Sequence, residues 1–297
     1  MNIRDHCYRI GQVNDGNLAS LWSLMAPCHL CPRKCGVNRI AGERGFCGVA
    51  SDPRISSFGP HFGEEPELVG QGGSGTIFMS SCSLRCVFCQ NSSISIEMEG
   101  IDVSVQRLSD VMLRLQTIGC ENVNLVTPTH FAAPIAEAVL SARSQGLTLP
   151  IVYNCGGYES PEVIALLDGI VDVYLPDFKT LDSRWATEYL HAPDYPQAAT
   201  ESLKVMYAQV GGMVLDARLA KKGLIVRHLA MPGMTADGMR IIDLVSDVAP
   251  HAVMNIMGQY RPAHVAHRYN ELATRTPKHE IEHLRRYAGT RHVHLTY

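Results

Sequence analysis

The chain has 297 residues, 46% of them hydrophobic, and a formal charge of -3, enough for one large α/β domain or two small ones with a sizeable core. No lysine or arginine run is long enough to build a phosphate-binding field, which speaks against nucleic acid as a partner. No stretch approaches the roughly 20 apolar residues of a membrane span, and the opening "MNIRDHCYRIGQ" lacks the apolar segment of a secretory signal, so neither a membrane nor export is expected and the expected location is the cytoplasm. Thiols stay reduced there, so ten cysteines, eight of them in the first 89 residues, point to metal ligation rather than disulfides.

In chain order, residues 1–70 are irregular, dense in Gly, Pro and Cys, and without a sustained hydrophobic period. They form a Cys-rich segment that needs a staple, ahead of a larger domain over 71–297. Within it Cys28, Cys31, Cys35 and Cys47 make a C-x2-C-x3-C-x11-C array. Four thiolates close a site completely and suit zinc or an iron-sulfur cluster equally well. Arg33, Lys34, Arg39 and Arg44 stand near them in sequence, where cations favour thiolate forms.

From residue 76 short apolar runs alternate with amphipathic stretches. "TIFMS", "VNLVT", "PIVYN", "VDVYL", "LIVRHLAM" and "AVMNIM" read as six strands, with helices over 104–118, 131–145, 161–168, 197–210 and 237–248. Leu108, Val111, Met112 and Leu115 recur at helical spacing, with Gly119 placed to end that helix and Ser160–Pro161 placed to start a later one. The alternation implies right-handed crossovers and a parallel sheet covered by helices. A partial barrel and an open doubly wound sheet both satisfy it, and both put functional side chains at the C-terminal ends of the strands.

The first such end carries "SCSLRCVFCQN", with Cys82, Cys86 and Cys89 at C-x3-C-x2-C spacing. Three thiolates on a cubane leave one iron free for a ligand, by the logic that makes an open zinc position catalytic; a zinc loop with a remote fourth ligand is the plainer alternative. After the second strand come Thr127, Thr129 and His130, the histidine expected to be exposed or capping. Asn154 and Cys155 end the third strand, and Gly156–Gly157 give the backbone room for close approach to a ligand. Asp177 and Lys179, two apart after the fourth strand, share a face. Arg227 interrupts a buried run and needs a partner, while His228 faces oppositely and should pack against a helix. His279 and His283 fit a solvated helix face, and Cys7, Cys120 and Cys155 are solitary.

The spacing of Cys82, Cys86 and Cys89, with Phe88 beside the last, resembles the signature of the radical S-adenosylmethionine (SAM) enzymes. With "HFGEEPELVG", "NLVTPTHF", "LPIVYNCGGYE", "VDVYLPDFK" and "VRHLAMPG", about residues 28–260 look like the radical SAM proteins related to pyruvate formate-lyase activating enzyme. The resemblance implies a partial (β/α)6 barrel, open at the side, behind the irregular Cys-rich extension. It implies a [4Fe-4S] cluster on Cys82, Cys86 and Cys89, with SAM at the fourth iron and Phe88 near the adenine. Thr127 and Thr129 stand where the family commonly has Gly-Gly-Glu for the SAM amino group, so the carboxylate is missing there. Asn154 would lie beside the SAM methionine, where relatives can have a cation-binding aspartate. Asp177 and Lys179 match the family's Asp-x-Lys, and Arg227 would meet the SAM carboxylate. The implied reaction is reductive cleavage of SAM to a 5'-deoxyadenosyl radical that abstracts hydrogen. Its implied partners are a glycyl radical enzyme or another protein substrate, and an electron donor such as flavodoxin or ferredoxin; a second cluster on the N-terminal cysteines would supply or relay electrons. Modification of another peptide or a small molecule, and a non-enzymatic iron-sulfur or zinc scaffold, are the competing expectations.

Overall fold

The computed structural model describes residues 15–296; Cys7 lies outside the described residues. The six expected strands are all present: β2 (Ser74–Met79), β4 (Val123–Val126), β5 (Ile151–Cys155), β6 (Val173–Pro176), β8 (Leu219–Leu229) and β9 (Val253–Met257). Neighbours along this series pair in parallel, and they are adjacent in the order in which the chain makes them. That order decides between the two architectures. A doubly wound sheet reverses direction at a switch point, whereas successive right-handed crossovers without reversal put every helix on one face and curl the sheet round the other. The path runs on to β10 (His294–Leu295) at one end and, through antiparallel β1 (Arg54–His61), to β3 (Ile101–Asp102) at the other. The result is a mixed α/β fold around a partial, unclosed parallel barrel.

The helical layer comprises α4 (Val105–Thr117), α5 (Ala132–Ser144), α6 (Pro161–Leu166), α7 (Ser183–Leu190), α8 (Tyr195–Val210), α9 (Thr235–Val248) and α10 (Lys278–Thr290). Leu108, Val111, Met112 and Leu115 of α4 are all buried, as their spacing requires. Ser104 caps this helix by accepting the Arg107 amide at 3.1 Å, and Gly119 follows its last turn at φ +90°. Pro161 opens α6, although Ser160, at the cap position, makes no side-chain capping bond. Helix α1 (Asp15–Ser23) is tied onto α5 by the Trp22 indole, which donates to Glu137 at 2.8 Å. Short α2 (Pro66–Val69) and α3 (Ser92–Ser95) complete the set. No helix among the described residues is long and apolar enough to cross a membrane.

Two faces of the sheet are chemically distinct because side chains alternate along each strand. Tyr153, Cys155, Tyr174, Leu224 and Val226 join the core under the helices. Val152, Val173, Leu175 and Ile225 point inward and pack with Leu68 of α2. The connection between β1 and β2 therefore fills the interior of the sheet. Two residues further along, the same parity brings Asn154, Asp177 and Arg227 inward, so an apolar layer is topped by a polar one at the carboxyl ends of the strands.

Close approach of β5 and β6 beyond their ends depends on Gly157. It sits at φ +79°, and a Cβ there would lie 2.2 Å from the Asp177 carbonyl and 2.8 Å from the Tyr195 hydroxyl; at Gly119 nothing lies within 4 Å. Gly119→Ala should cost only the left-handed backbone strain of about 1–2 kcal/mol. Gly157→Ala should cost distinctly more, visible as a lower urea midpoint. Equal midpoints for the two variants would contradict this packing.

Candidate active site

The loop carrying Cys82, Cys86 and Cys89 leaves the end of β2 through Ser81 at φ +74° and turns at Arg85, φ +62°. Left-handed backbone at two non-glycine residues stores strain that the surroundings must hold. They do so from three sides: the Val87 amide donates to Tyr189 O at 3.0 Å, Val87 O accepts the Val265 amide at 3.1 Å, and Ser81 N donates to Ile94 O at 2.9 Å. All three cysteines are free. The Cys82 sulfur accepts the Leu84 amide at 3.4 Å, and Cys89 lies 3.1 Å from the Ser95 hydroxyl. Burial pushes the Cys86 thiol up against the opposing pull of the Lys179 ammonium, while Cys82 and Cys89, near enough to repel it, push it further. Phe88 is buried against Trp185 and Tyr260, with ring centroids at 5.6 and 6.2 Å.

Lys179 is paired with Asp177 at 2.6 Å and both are half-buried. Burial alone would lower the lysine, but Asp177 and Cys86 outweigh it and hold the ammonium charged. Gly156 lies beneath this group: a Cβ there would meet Leu84 of the cysteine loop at 3.1 Å and Lys179 Cε at 3.8 Å. The room left by Gly156 and Gly157 is thus taken by the protein's own cysteine loop, the Asp177 carbonyl and Tyr195.

Arg227 has found its partners within the chain. Its guanidinium bonds Glu65 at 2.5 and 2.7 Å and also Glu64, and reaches Asn154 at 3.5 Å. Asn255 donates to the same Glu65 carboxylate at 2.9 Å. Burial would raise Glu65, yet the hydrogen bonds and charge of Arg227, with Asn255, hold it below the usual carboxylate range. Asp177, just past the end of β6, pairs with Arg227 of β8 through the backbone. The inner polar layer therefore gathers Asn154, Asp177, Lys179, Arg227, Glu64, Glu65 and Asn255. Sequence reasoning gave no role to either glutamate or to Asn255. A buried arginine was signal enough to look for acids, and the adjacent pair in "GEEP" was there to be tried.

The turn after β4 faces elsewhere. Thr127 adopts φ +58°, unusual for a β-branched residue, and its amide donates to Asn154 O at 2.8 Å. Thr129 donates its hydroxyl to Glu159 at 2.5 Å, and Tyr153 donates to the other oxygen at 3.2 Å. This carboxyl is buried on the helix side, where desolvation pushes it up to about 7 against the hydrogen bonds from Thr129, Tyr153 and Cys155. His130 is buried, not exposed: one ring nitrogen bonds Ser80 O at 2.9 Å, and burial pushes it down to about 3. The reason is Arg39, which is itself buried and donates to the carbonyls of His130 and Ala50, sealing the turn. Arg39 is thereby spent on carbonyls rather than on thiols. His228 packs under α9 as expected, and His279 and His283 are exposed.

Residues 76–209 match the sequence model described as Radical SAM superfamily. Over 265 residues the chain is 31% identical to "Uncharacterized protein MJ0674" of Methanocaldococcus jannaschii, covering 86% of this chain and 72% of that protein. The chain belongs to the radical SAM superfamily. Among solved structures it is similar to Streptococcus suis SuiB (TM-score 0.49, 12% identity, 73% of this chain and 46% of that one). It is also similar to methylornithine synthase, PylB (TM-score 0.50, 12% identity, 73% and 62%). The chain spans less than two thirds of either, and the likeness to PylB is one of fold. Radical SAM proteins cleave SAM with the help of an iron-sulfur cluster, and the thiols of the loop fit that group. Among the described residues no three His, Cys, Asp or Glu side chains converge on a single-ion site. A cubane asks for something wider, since each thiolate binds its own iron. Cys82, Cys86 and Cys89, all free and carried on one loop, offer three such thiolates.

Two outcomes check this geometry. Arg227→Met would leave two buried carboxylates unpaired and should cost about 3–5 kcal/mol in urea unfolding at neutral pH. Glu64→Gln, which removes one of two acids sharing one cation, should cost much less. A stable Arg227→Met variant would contradict the pairing. For Glu159 the folded value of about 7 exceeds the ordinary 4.5, so the folded state holds an extra proton between them. Its contribution is intact below about 4.5 and is lost as pH rises through 7, a difference of about 3 kcal/mol. Glu159→Gln should match the native chain near pH 5 and exceed it near pH 8; parallel profiles would refute the raised carboxyl.

Proposed function

We propose that this radical SAM protein is a cytoplasmic activating enzyme of the pyruvate formate-lyase activating type, abstracting hydrogen from a backbone glycine of a glycyl radical enzyme. The observation that carries the reading is the three-thiol loop standing over a charged inner layer at the carboxyl end of an unclosed sheet. When bound, a [4Fe-4S] cluster with SAM supplies reductive cleavage and hence a hydrogen-abstracting radical. Cys82, Cys86 and Cys89 would hold the cluster.

The chain's own residues meet the other demands. Glu64, Glu65 and Asp177 against Arg227 and Lys179 leave one formal negative charge in the inner layer. That suits SAM, whose ammonium and sulfonium outnumber its carboxylate. The acids also bring to the interior the carboxylate that the Thr127–Thr129 turn lacks. Asn154, Asp177 and Lys179 would orient the methionine end, and Phe88, already walled by Trp185 and Tyr260, would border the adenine and help exclude water. The unpaired sheet edges at β3 and β10 favour side entry by a loop of a protein substrate. A small acidic flavodoxin or ferredoxin would deliver the electron.

Anaerobically reconstituted protein given dithionite and SAM should release 5'-deoxyadenosine, and Cys86→Ala should release none. With a candidate glycyl radical enzyme added, a carbon-centred radical should appear on that partner by electron paramagnetic resonance (EPR). Cluster-loaded protein that yields no 5'-deoxyadenosine would overturn the enzymatic reading. Turnover that leaves every such partner radical-free while a small molecule or another peptide is altered would overturn the activase reading.

A further inference from the structure

Seven large apolar side chains among the described residues are exposed, and four of them, Phe58, Phe62, Ile101 and Ile118, gather beside β1. Phe58 is in register with Ile77, and Ile101 with Ile55, which itself lies opposite Met79. Ile55, Ile77 and Met79 face the helices, so Phe58 and Ile101 point to the same outer side. Phe62 joins them, because a Cβ on Gly73 would lie 3.1 Å from its ring and 3.2 Å from Pro60 Cβ, and Pro60 has the parity of Phe58. Ile118 precedes the turn that abuts Gly72, where a Cβ would meet the Gly119 carbonyl. His61 goes the other way, with its ring edge-on to Phe78 at 6.1 Å. Phe58, Phe62 and Ile101 are 44, 63 and 70% exposed, whereas Ile55 on the same face is 5% exposed. The outer side of the sheet is therefore left bare at this edge.

Helix α4 stands along one side of the bare strip. The Ser109 hydroxyl accepts from Gln145 at 3.4 Å and Gln116 donates to Gly146 O at 3.0 Å, which turns that flank of α4 towards the end of α5. At about 3.6 residues per turn the opposite flank bears Arg107, Arg114 and Ile118, and it borders the strip. Both arginines are exposed. On the far side, leading into β3, Glu97 and Glu99 are exposed, and Asp102 is paired with Arg54 at 2.8 Å. An apolar floor thus lies between a cationic wall and an acidic rim.

Pro60 rules out one way of covering it. Lacking an N–H, it cannot extend the ladder at the free edge, so the cover must lie on the face rather than add a strand. An exposed apolar patch rimmed by polar groups marks a site of association, and the arrangement of charge selects the occupant.

We propose that a second copy of the same chain covers this face, across a two-fold axis parallel to β1. That axis keeps like ends of the strip together and exchanges its sides. The Arg107 and Arg114 side of one copy then meets the Glu97 and Glu99 side of the other, and the contact occurs twice. An axis across the strands would instead set arginine against arginine. The covered face is the outer one, away from the charged inner layer, so the inference does not depend on the activase reading.

Sedimentation equilibrium of the full chain tests it, with far-ultraviolet circular dichroism to show that each variant is folded. The native protein should be a dimer at micromolar concentration. Phe58→Ser/Phe62→Ser, altered only at exposed positions, should be a monomer, and so should Ile101→Glu. Arg107→Glu/Arg114→Glu and Glu97→Arg/Glu99→Arg should each raise the dissociation constant at least about tenfold. An equimolar mixture of these two charge variants should associate again, because the reversed sides then face each other. A native chain that stays monomeric would overturn the proposal, as would a dimer untouched by Phe58→Ser/Phe62→Ser and Ile101→Glu. Charge variants that remain apart when mixed would overturn the two-fold arrangement. A native monomer that binds a different protein through Phe58 and Phe62 would give the face to that partner and overturn the proposal as well.

Discussion

The buried contact between Arg227 and the paired carboxylates of Glu64 and Glu65 is the constraint on which the interior depends. Taking three charged groups out of water costs several kcal/mol each, and mutual attraction repays this only where hydrogen bonds satisfy the remaining lone pairs. Here the fork of the guanidinium meets both acids, and Asn255 serves Glu65 as well. The partners lie 162 and 163 residues apart, so the contact fastens the β1–β2 connection inside the curve of the sheet. An unclosed barrel has no strand pairing to finish its interior. Leu68 below and the glutamates above do that work instead, turning a concave sheet into a floor with charge on it.

Alternation along the strands then separates two chemistries. Inward-facing Asn154, Asp177 and Arg227 share one pool of charge with Lys179 and, through it, with Cys86. Outward-facing Tyr153 and Cys155 share Glu159 with Thr129, in a setting dry enough to hold a carboxyl near neutrality. The N-terminal segment packs on this outer side, with Cys31 feeling Glu159. The strand ends thus serve as a partition between a charged inner layer and a sealed seam where the cysteine-rich segment is attached.

What the sequence made legible follows from the range of the forces involved. The six parallel strands and the long helices are written in local apolar periodicity, and the three-cysteine loop in local spacing. Strand β7 (Val214–Asp216) and the first half of β8 were hidden because the turn between them uses Ala217 and Arg218, both at positive φ, where Asn-Gly would have announced a hairpin. β1 was hidden by its Ser, Gly and Pro content. Pro60 is tolerated there because β3 covers only Arg54 and Ile55, leaving the rest of β1 as an edge. Glu65 and the burial of His130 depend on partners far away in the chain, and no window of neighbouring residues encodes them. Arg227 was noticed for its burial, and its acids were missed for their distance.

The cross-bracing of Val87 has a bearing on how the protein is made. Its amide is met by Tyr189 and its carbonyl by Val265, so the loop between Cys82 and Cys89 gains its full support only once both of these later residues have been synthesised. A truncation short of Val265 would yield a chain that has the three thiols yet lacks one side of the cradle that presents them.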